Sequence, residues 1–142
     1  MATVATYPPT PFIYNMGSIY KGKTIFISGF IPPNADRFNV NFESKPWGPD
    51  IAFHCDFRVN QNVIVLNSFA NNAWGTEERV TKDFPLKPKD FFEMTIRVEK
   101  DGFKVSVNNN CHLHYNHRMK PLSQFTHLRI DGSVIIKKVR HQ

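Results

Sequence analysis

The sequence predicts an all-β chain folded as an antiparallel sandwich of two sheets. Three observations carry that expectation. Short runs with apolar and polar residues in alternation recur along the chain, as in "RFNVNFE" and "IAFHCDFRV". Pro, Gly, Asn and Asp residues that form turns stand between these runs. Phenylalanine is over-used, at 13 residues of 142, beside many Val, Ile and Asn.

In chain order, residues 1–11 carry three prolines and little pattern, and read as a flexible or edge-hugging N-terminal tail. Residues 12–142 read as one domain, and 41% hydrophobic composition supplies a core without staples. "GKTIFISGFI" alternates around Ile25 and Ile27 and ends before Pro32 and Pro33. "RFNVNFE" puts Phe38, Val40 and Phe42 on one face and Asn39, Asn41 and Glu43 on the other. "KPWGPD" is a turn, "IAFHCDFRV" a strand, and "NQN" turns into "VIVLNSF". "NNAWGTEERV" follows, then the loop "FPLKPKD". "FFEMTIRVEK", "GFKVSVNNN" and "CHLHYNHR" supply three more strands, with Asp101-Gly102 as a tight hairpin signal. "THLRIDGSVIIKKVRHQ" supplies the last two, hinged on Asp131-Gly132, and one helical turn is expected near "PLSQF". The sum is ten or eleven short strands, the spacing of a sandwich.

The formal net charge is +6, from 18 Lys and Arg against 12 Asp and Glu. Such a balance favours loose association with any polyanion and selects none. The basic residues are spread out, with a modest cluster at Lys137, Lys138 and Arg140, so specific nucleic-acid binding is not expected. Two cysteines, Cys55 and Cys111, give no disulfide framework. The start "MATVATYPPTPF" lacks the charged head and apolar run of a secretory signal, and no run is long enough to insert in a bilayer. Synthesis in the cytosol is expected.

The chemistry concentrates in 26 residues: His54-x-Asp56-x-Arg58, then Val65-Leu66-Asn67, then Trp74, then Glu77-x-Arg79. His54, Asp56 and Arg58 share one face of their strand, while Phe53, Cys55 and Phe57 face the core. Trp74 and Glu77 differ by an odd number, and Gly75 between them allows a bulge that resets the face. Paired as successive hairpins, the strands bring all seven side chains to one concave patch. Two guanidiniums, two carboxylates, an imidazole and an amide beside one indole complement a sugar, whose hydroxyls both donate and accept. The C–H face of a galactose ring lies flat on an indole, and its axial 4-hydroxyl projects toward the polar heads.

"HCDFR…VLN…WGTEER" resembles the galectin signature, usually H-x-N-P-R, V-x-N and W-G-x-E-x-R. "DRFNVNF" and "YNHR…PLSQFTHLRIDGSV" resemble further segments of that family, so the resemblance covers about residues 11 to 140. It implies a β-galactoside-binding lectin on a two-sheet jelly-roll sandwich, without enzymatic activity or cofactor. By the same resemblance, His54 and Arg58 hydrogen-bond the galactose 4-hydroxyl and Asn67 the 6-hydroxyl. Trp74 stacks, Glu77 shares the 6-hydroxyl with a hydroxyl of the next sugar, and Arg79 reaches that second sugar while bracing Glu77. Glycan crosslinking then needs a homodimer or a second lectin domain, and export without a signal peptide is a family trait.

The chain departs from the family pattern at two positions. Asp56 stands where Asn is usual and only accepts hydrogen bonds, so it is expected to pair with Arg58 or Arg79. Phe57 stands where Pro is usual and is expected in the core. The short "NQN" loop borders the second-sugar region. Asp56 also sustains a rival reading, a galectin-fold intracellular module that binds another protein. A glycosidase is disfavoured, since Asp56 and Glu77 each have an Arg two residues away that keeps the carboxylate ionised. "CHLHYNH" brings His112, His114 and His117 near one another, but Cys111 falls on the opposite face, so a paired strand and a packed His117 are expected rather than a metal site.

Overall fold

The computed structural model describes residues 2–142, and of Cys111 and His112 the backbone alone. The strands are β1 (Ala2–Thr6), β2 (Phe12–Asn15), β3 (Thr24–Phe30), β4 (Arg37–Glu43), β5 (Ile51–Arg58), β6 (Val63–Ala70) and β7 (Ala73–Trp74). They continue with β8 (Glu78–Val80), β9 (Phe91–Val98), β10 (Gly102–Val107), β11 (Cys111–Asn116), β12 (His127–Gly132) and β13 (Ile135–His141). One 3-10 turn, Leu122–Gln124, falls within the expected "PLSQF". All pairings are antiparallel. Sheet I runs β1-β13-β3-β9-β10-β11, and sheet II runs β2-β12-β4-β5-β6-β7 with β8 also on β6. The predicted two-sheet sandwich is the fold found.

Alternation explains both sheets. Phe38, Val40 and Phe42 of β4 and Phe53, Cys55 and Phe57 of β5 are fully buried between the layers. They meet the inward rings of sheet I: Phe38 lies 5.7 Å from Phe92, Phe42 5.4 Å from Phe103, and Phe53 4.7 Å from Phe103 and 5.2 Å from Tyr115. Each such ring contributes on the order of 2–3 kcal/mol by leaving water. Phe57 lies in this layer as expected, stacked on Phe38 at 5.0 Å. The period-two pattern therefore sends every intervening polar residue of β4 and β5 to the outer face of sheet II.

At the N-terminus the chain hugs a sheet edge. Within the expected flexible tail 1–11, Ala2–Thr6 form a strand on the edge of β13, with Thr3 opposite Arg140 and Ala5 opposite Val139. The reason is an open edge: β13 offers unpaired backbone groups, and Val4 packs against the core. Met1 lies outside the described residues. A second unforeseen strand, Phe12–Asn15, completes the other edge on β12.

Candidate functional site

The pairing of β4, β5 and β6 lays the polar heads in rows across sheet II. Asn41 is opposite His54, and His54 opposite Asn67. Asn39 is opposite Asp56, and Arg37 opposite Arg58. These rows floor an open groove of about 590 Å³, lined by His54, Asp56, Arg58, Asn67, Trp74 and Glu77, together with Arg37, Asn39, Val65 and Gly75. Arg79 is not on the lining. It grips Glu77 from behind, its Nη2 and Nε donating to Oε1 at 3.1 and 3.2 Å.

Trp74 owes its place to a tight hairpin. Asn71 and Asn72 both have positive φ, 53° and 60°, the geometry of a two-residue turn that small polar side chains tolerate. The turn sets Trp74 opposite Phe69, whose ring meets the indole edge-on at 5.1 Å. The indole leans over His54 at 4.9 Å and stays 51% exposed. After Trp74 the chain leaves the strand, as Gly75 was expected to allow, and resumes pairing at Glu78.

A line of amides fixes the imidazole. Asn41, fully buried, donates through Nδ2 to Asn39 Oδ1 at 2.7 Å, so its Oδ1 is the atom that meets His54 Nδ1 at 2.5 Å. Oδ1 only accepts, so Nδ1 carries the proton and the neutral ring keeps Nε2 as an acceptor. Burial holds His54 in that neutral form. It lowers the pKa to about 4, opposed by Asp56 and reinforced by the cations Arg129, Arg58 and Arg37.

Asp56 is 3% exposed and pairs with Arg58 Nε at 3.0 Å and Arg37 Nη1 at 3.5 Å. The expected partner Arg58 is found. Arg37, not Arg79, is the second, because Arg37 stands on the adjoining strand β4 while Arg79 is two strands away on β8. Asn67 is locked too. Its Oδ1 accepts from the Ser68 amide at 2.8 Å and Arg118 Nη1 at 3.1 Å, and its Nδ2 donates to the Gly75 carbonyl at 2.9 Å. One N–H of that amide is left for a ligand.

Comparison with known proteins sets this groove in a lineage. The family model of galactoside-binding lectins matches residues 11–141. The chain is 38% identical to Galectin-3 of Oryctolagus cuniculus over 143 residues, spanning 96% of this chain and 57% of that protein. It is 35% identical to Galectin-4 of Bos taurus over 134 residues, spanning 94% of this chain and 40% of that one. The chain thus spans about half the length of these relatives. Its fold matches sheep Galectin-11, solved with glycerol, at a TM-score of 0.86 and 22% identity, over 95% of this chain and 99% of that one. The chain belongs to the galectin family.

Six of the seven galectin-signature side chains thus share one groove, and the seventh braces a member. The sequence reading missed four residues around them. Arg37, Asn39 and Asn41 were legible in principle, since alternation already put the asparagines on the outer face of β4. Arg118 carried no local signal, standing 51 positions from the Asn67 it contacts. At the "CHLHYNH" segment, His114 is exposed, and His117 is packed edge-on to Phe103 at 4.7 Å with Nε2 donating to the Glu99 carbonyl at 2.8 Å. The side chains of Cys111 and His112 lie outside the described residues.

Proposed function

We propose that this domain, residues 12–142, is a non-enzymatic lectin that binds terminal β-galactosides such as lactose or N-acetyllactosamine. His54 Nε2 and Arg58 receive the axial 4-hydroxyl. The remaining Asn67 N–H meets the 6-hydroxyl, the apolar ring face lies on Trp74, and Glu77 with Arg79 reaches the next sugar. One observation carries the reading: a half-exposed indole overhangs polar heads that are already fixed to one another, so little ordering remains to be done on binding. The galactoside-binding description of the family supports it. Both carboxylates are held by arginines, which suits hydrogen-bond acceptance better than proton transfer.

A single shallow site gives modest affinity, so crosslinking of cell-surface glycoproteins requires a homodimer or a second lectin domain. We place the domain in the cytosol and, after export without a signal peptide, outside the cell. The test is retention on immobilised lactose with elution by free lactose but not by mannose, beside an assay for released galactose. Trp74→Ala should weaken binding at least tenfold with an unchanged melting temperature. Full retention by that variant, or galactose release by the intact domain, overturns the reading.

A further inference from the structure

Arg118 lies outside the groove lining, two residues past sheet I's edge strand β11, yet it is joined to three parts of the site at once. Its Nη1 donates to Asn67 Oδ1 at 3.1 Å. Its Nη2 donates to the Thr76 carbonyl at 2.7 Å and to Glu78 Oε2 at 2.9 Å. Its guanidinium lies 4.7 Å over the Tyr115 ring. Tyr115 is itself fixed: fully buried, its hydroxyl meets Ser68 Oγ at 2.5 Å, and Ser68 Oγ donates to the Ala52 carbonyl at 2.8 Å.

We infer that Arg118 is a positioning residue that sets the specificity of the site for the galactose 6-hydroxyl, an inference that rests on the galactoside reading above. Hydrogen-bond directions at Asn67 carry it. An isolated Asn side chain turns its oxygen and nitrogen ends almost freely. The Ser68 amide donates to one end at 2.8 Å, and a cation that can only donate, held against that same end at 3.1 Å, is the second donor that keeps it the oxygen. The other end must then be the NH₂, with one hydrogen on the Gly75 carbonyl and the second presented to the groove. The other arm of the same fork holds Thr76, between Trp74 and Glu77, so the amide and the loop are fixed as one unit before a ligand arrives.

Gly75 supplies independent support. A Cβ built there would lie 2.9 Å from Arg118 Nη1 and 3.2 Å from Asn67 Oδ1. The chain keeps a residue without a side chain where the guanidinium and the amide must close together. A side chain here would push the guanidinium off the amide, while the backbone φ of Gly75 is not positive and makes no demand of its own.

The test compares lactose with the lactoside that lacks the galactose 6-hydroxyl, by calorimetry on the intact domain and on Arg118→Met and Arg118→Lys. The intact domain should bind the deoxy ligand at least tenfold more weakly. In Arg118→Met that ratio should collapse below about threefold, while a melting temperature within a few degrees of the parent excludes general unfolding. Arg118→Lys, a single point donor on the same stem, should not restore it, and it carries the test if the Met variant does not fold. Retention of the full ratio in both variants overturns the inference. If the intact domain fails to bind lactose, the galactoside reading falls, and a ligand-free measurement decides the positioning. NMR relaxation of residues 71–77 and of the Asn67 side-chain amide should show added fast motion in Arg118→Met, and unchanged relaxation counts against Arg118.

Discussion

The two sheets turn very different faces to solvent. Of the seven buried polar or charged residues among those described, Asn41, Glu43, Asp56, Asn67 and Ser68 belong to β4, β5 and β6 of sheet II. Four of these hold a ring or a cation: Asn41 holds His54, Glu43 takes Arg129 at 2.7 Å, Asp56 takes Arg58, and Asn67 takes Arg118. Sheet I presents Arg97 directly opposite Lys104, and Lys104 opposite His114, all exposed. Like charges face to face cost a little and stay there because water screens them. Burying polar groups is expensive unless each finds a partner. Sheet II meets most of that cost with a network that leaves Asp56 Oδ1 without a partner among its described buried side-chain atoms, and it gains fixed directions for its donors and acceptors. On sheet I's side the buried polar residues are Thr24, at the start of β3, and its neighbour Lys23, and the exposed rows between need no network.

The contrast is tested hardest at Arg58. Its removal leaves the Asp56 carboxylate 3% exposed with Arg37 at 3.5 Å as its remaining cation. Breaking a buried pair from one side costs about 3 kcal/mol, so Arg58→Ala should lower the urea midpoint sharply as well as abolish lactose retention. Adding Asp56→Asn in the same chain removes the stranded charge. It should recover most of the stability and none of the binding. Recovery of binding would mean that Arg58 served Asp56 rather than the ligand.

The next effect is read by pH. An unfolded His takes its proton near 6.5, whereas folded His54 resists until about 4. Its stabilising contribution is therefore complete above pH 6.5 and is lost as pH falls from 6.5 toward 4. The full difference is roughly 3 kcal/mol. Between pH 7.5 and 4.5 the intact domain should lose roughly 2–3 kcal/mol more than His54→Gln, measured by urea unfolding. Lactose affinity should stay level from pH 8 down to about 5, because Nε2 remains an acceptor throughout. A binding midpoint near 6.5 would show that burial does not hold the ring neutral.

These networks mark where the sequence stopped being legible. The strands were readable because inward and outward positions differ so strongly: "RFNVNFE" matches β4, Arg37–Glu43, residue for residue. The groove was readable because its lining residues cluster in β5, β6 and the Trp74 loop, and parity alone sends His54, Asp56 and Arg58 outward. Pairing between distant segments was not readable. The Asp56–Arg37 contact depends on the register of β4 against β5, and the Asn67–Arg118 contact joins opposite sheets. Strand β1 was hidden for a similar reason. Three prolines dominate its neighbourhood, and what makes it a strand is the vacant edge of β13.

The smallest expected effect sits on the other face. Lys104→Glu would place a carboxylate opposite both Arg97 and His114 and convert the like-charge Arg97–Lys104 pair into an opposite-charge one. On an exposed strand such pairs contribute a few tenths of a kcal/mol, at most about 1. The variant should be slightly more stable than the parent at low salt, the gain should fade by about 0.5 M NaCl as the charges are screened, and lactose affinity should not change. The same reversal of sign at Arg58 would set a carboxylate against buried Asp56 and cost several kcal/mol. If Lys104→Glu instead destabilised the fold by more than about 1 kcal/mol, sheet I would hold an interlocked polar face of its own. The division of labour between the two sheets would then fail.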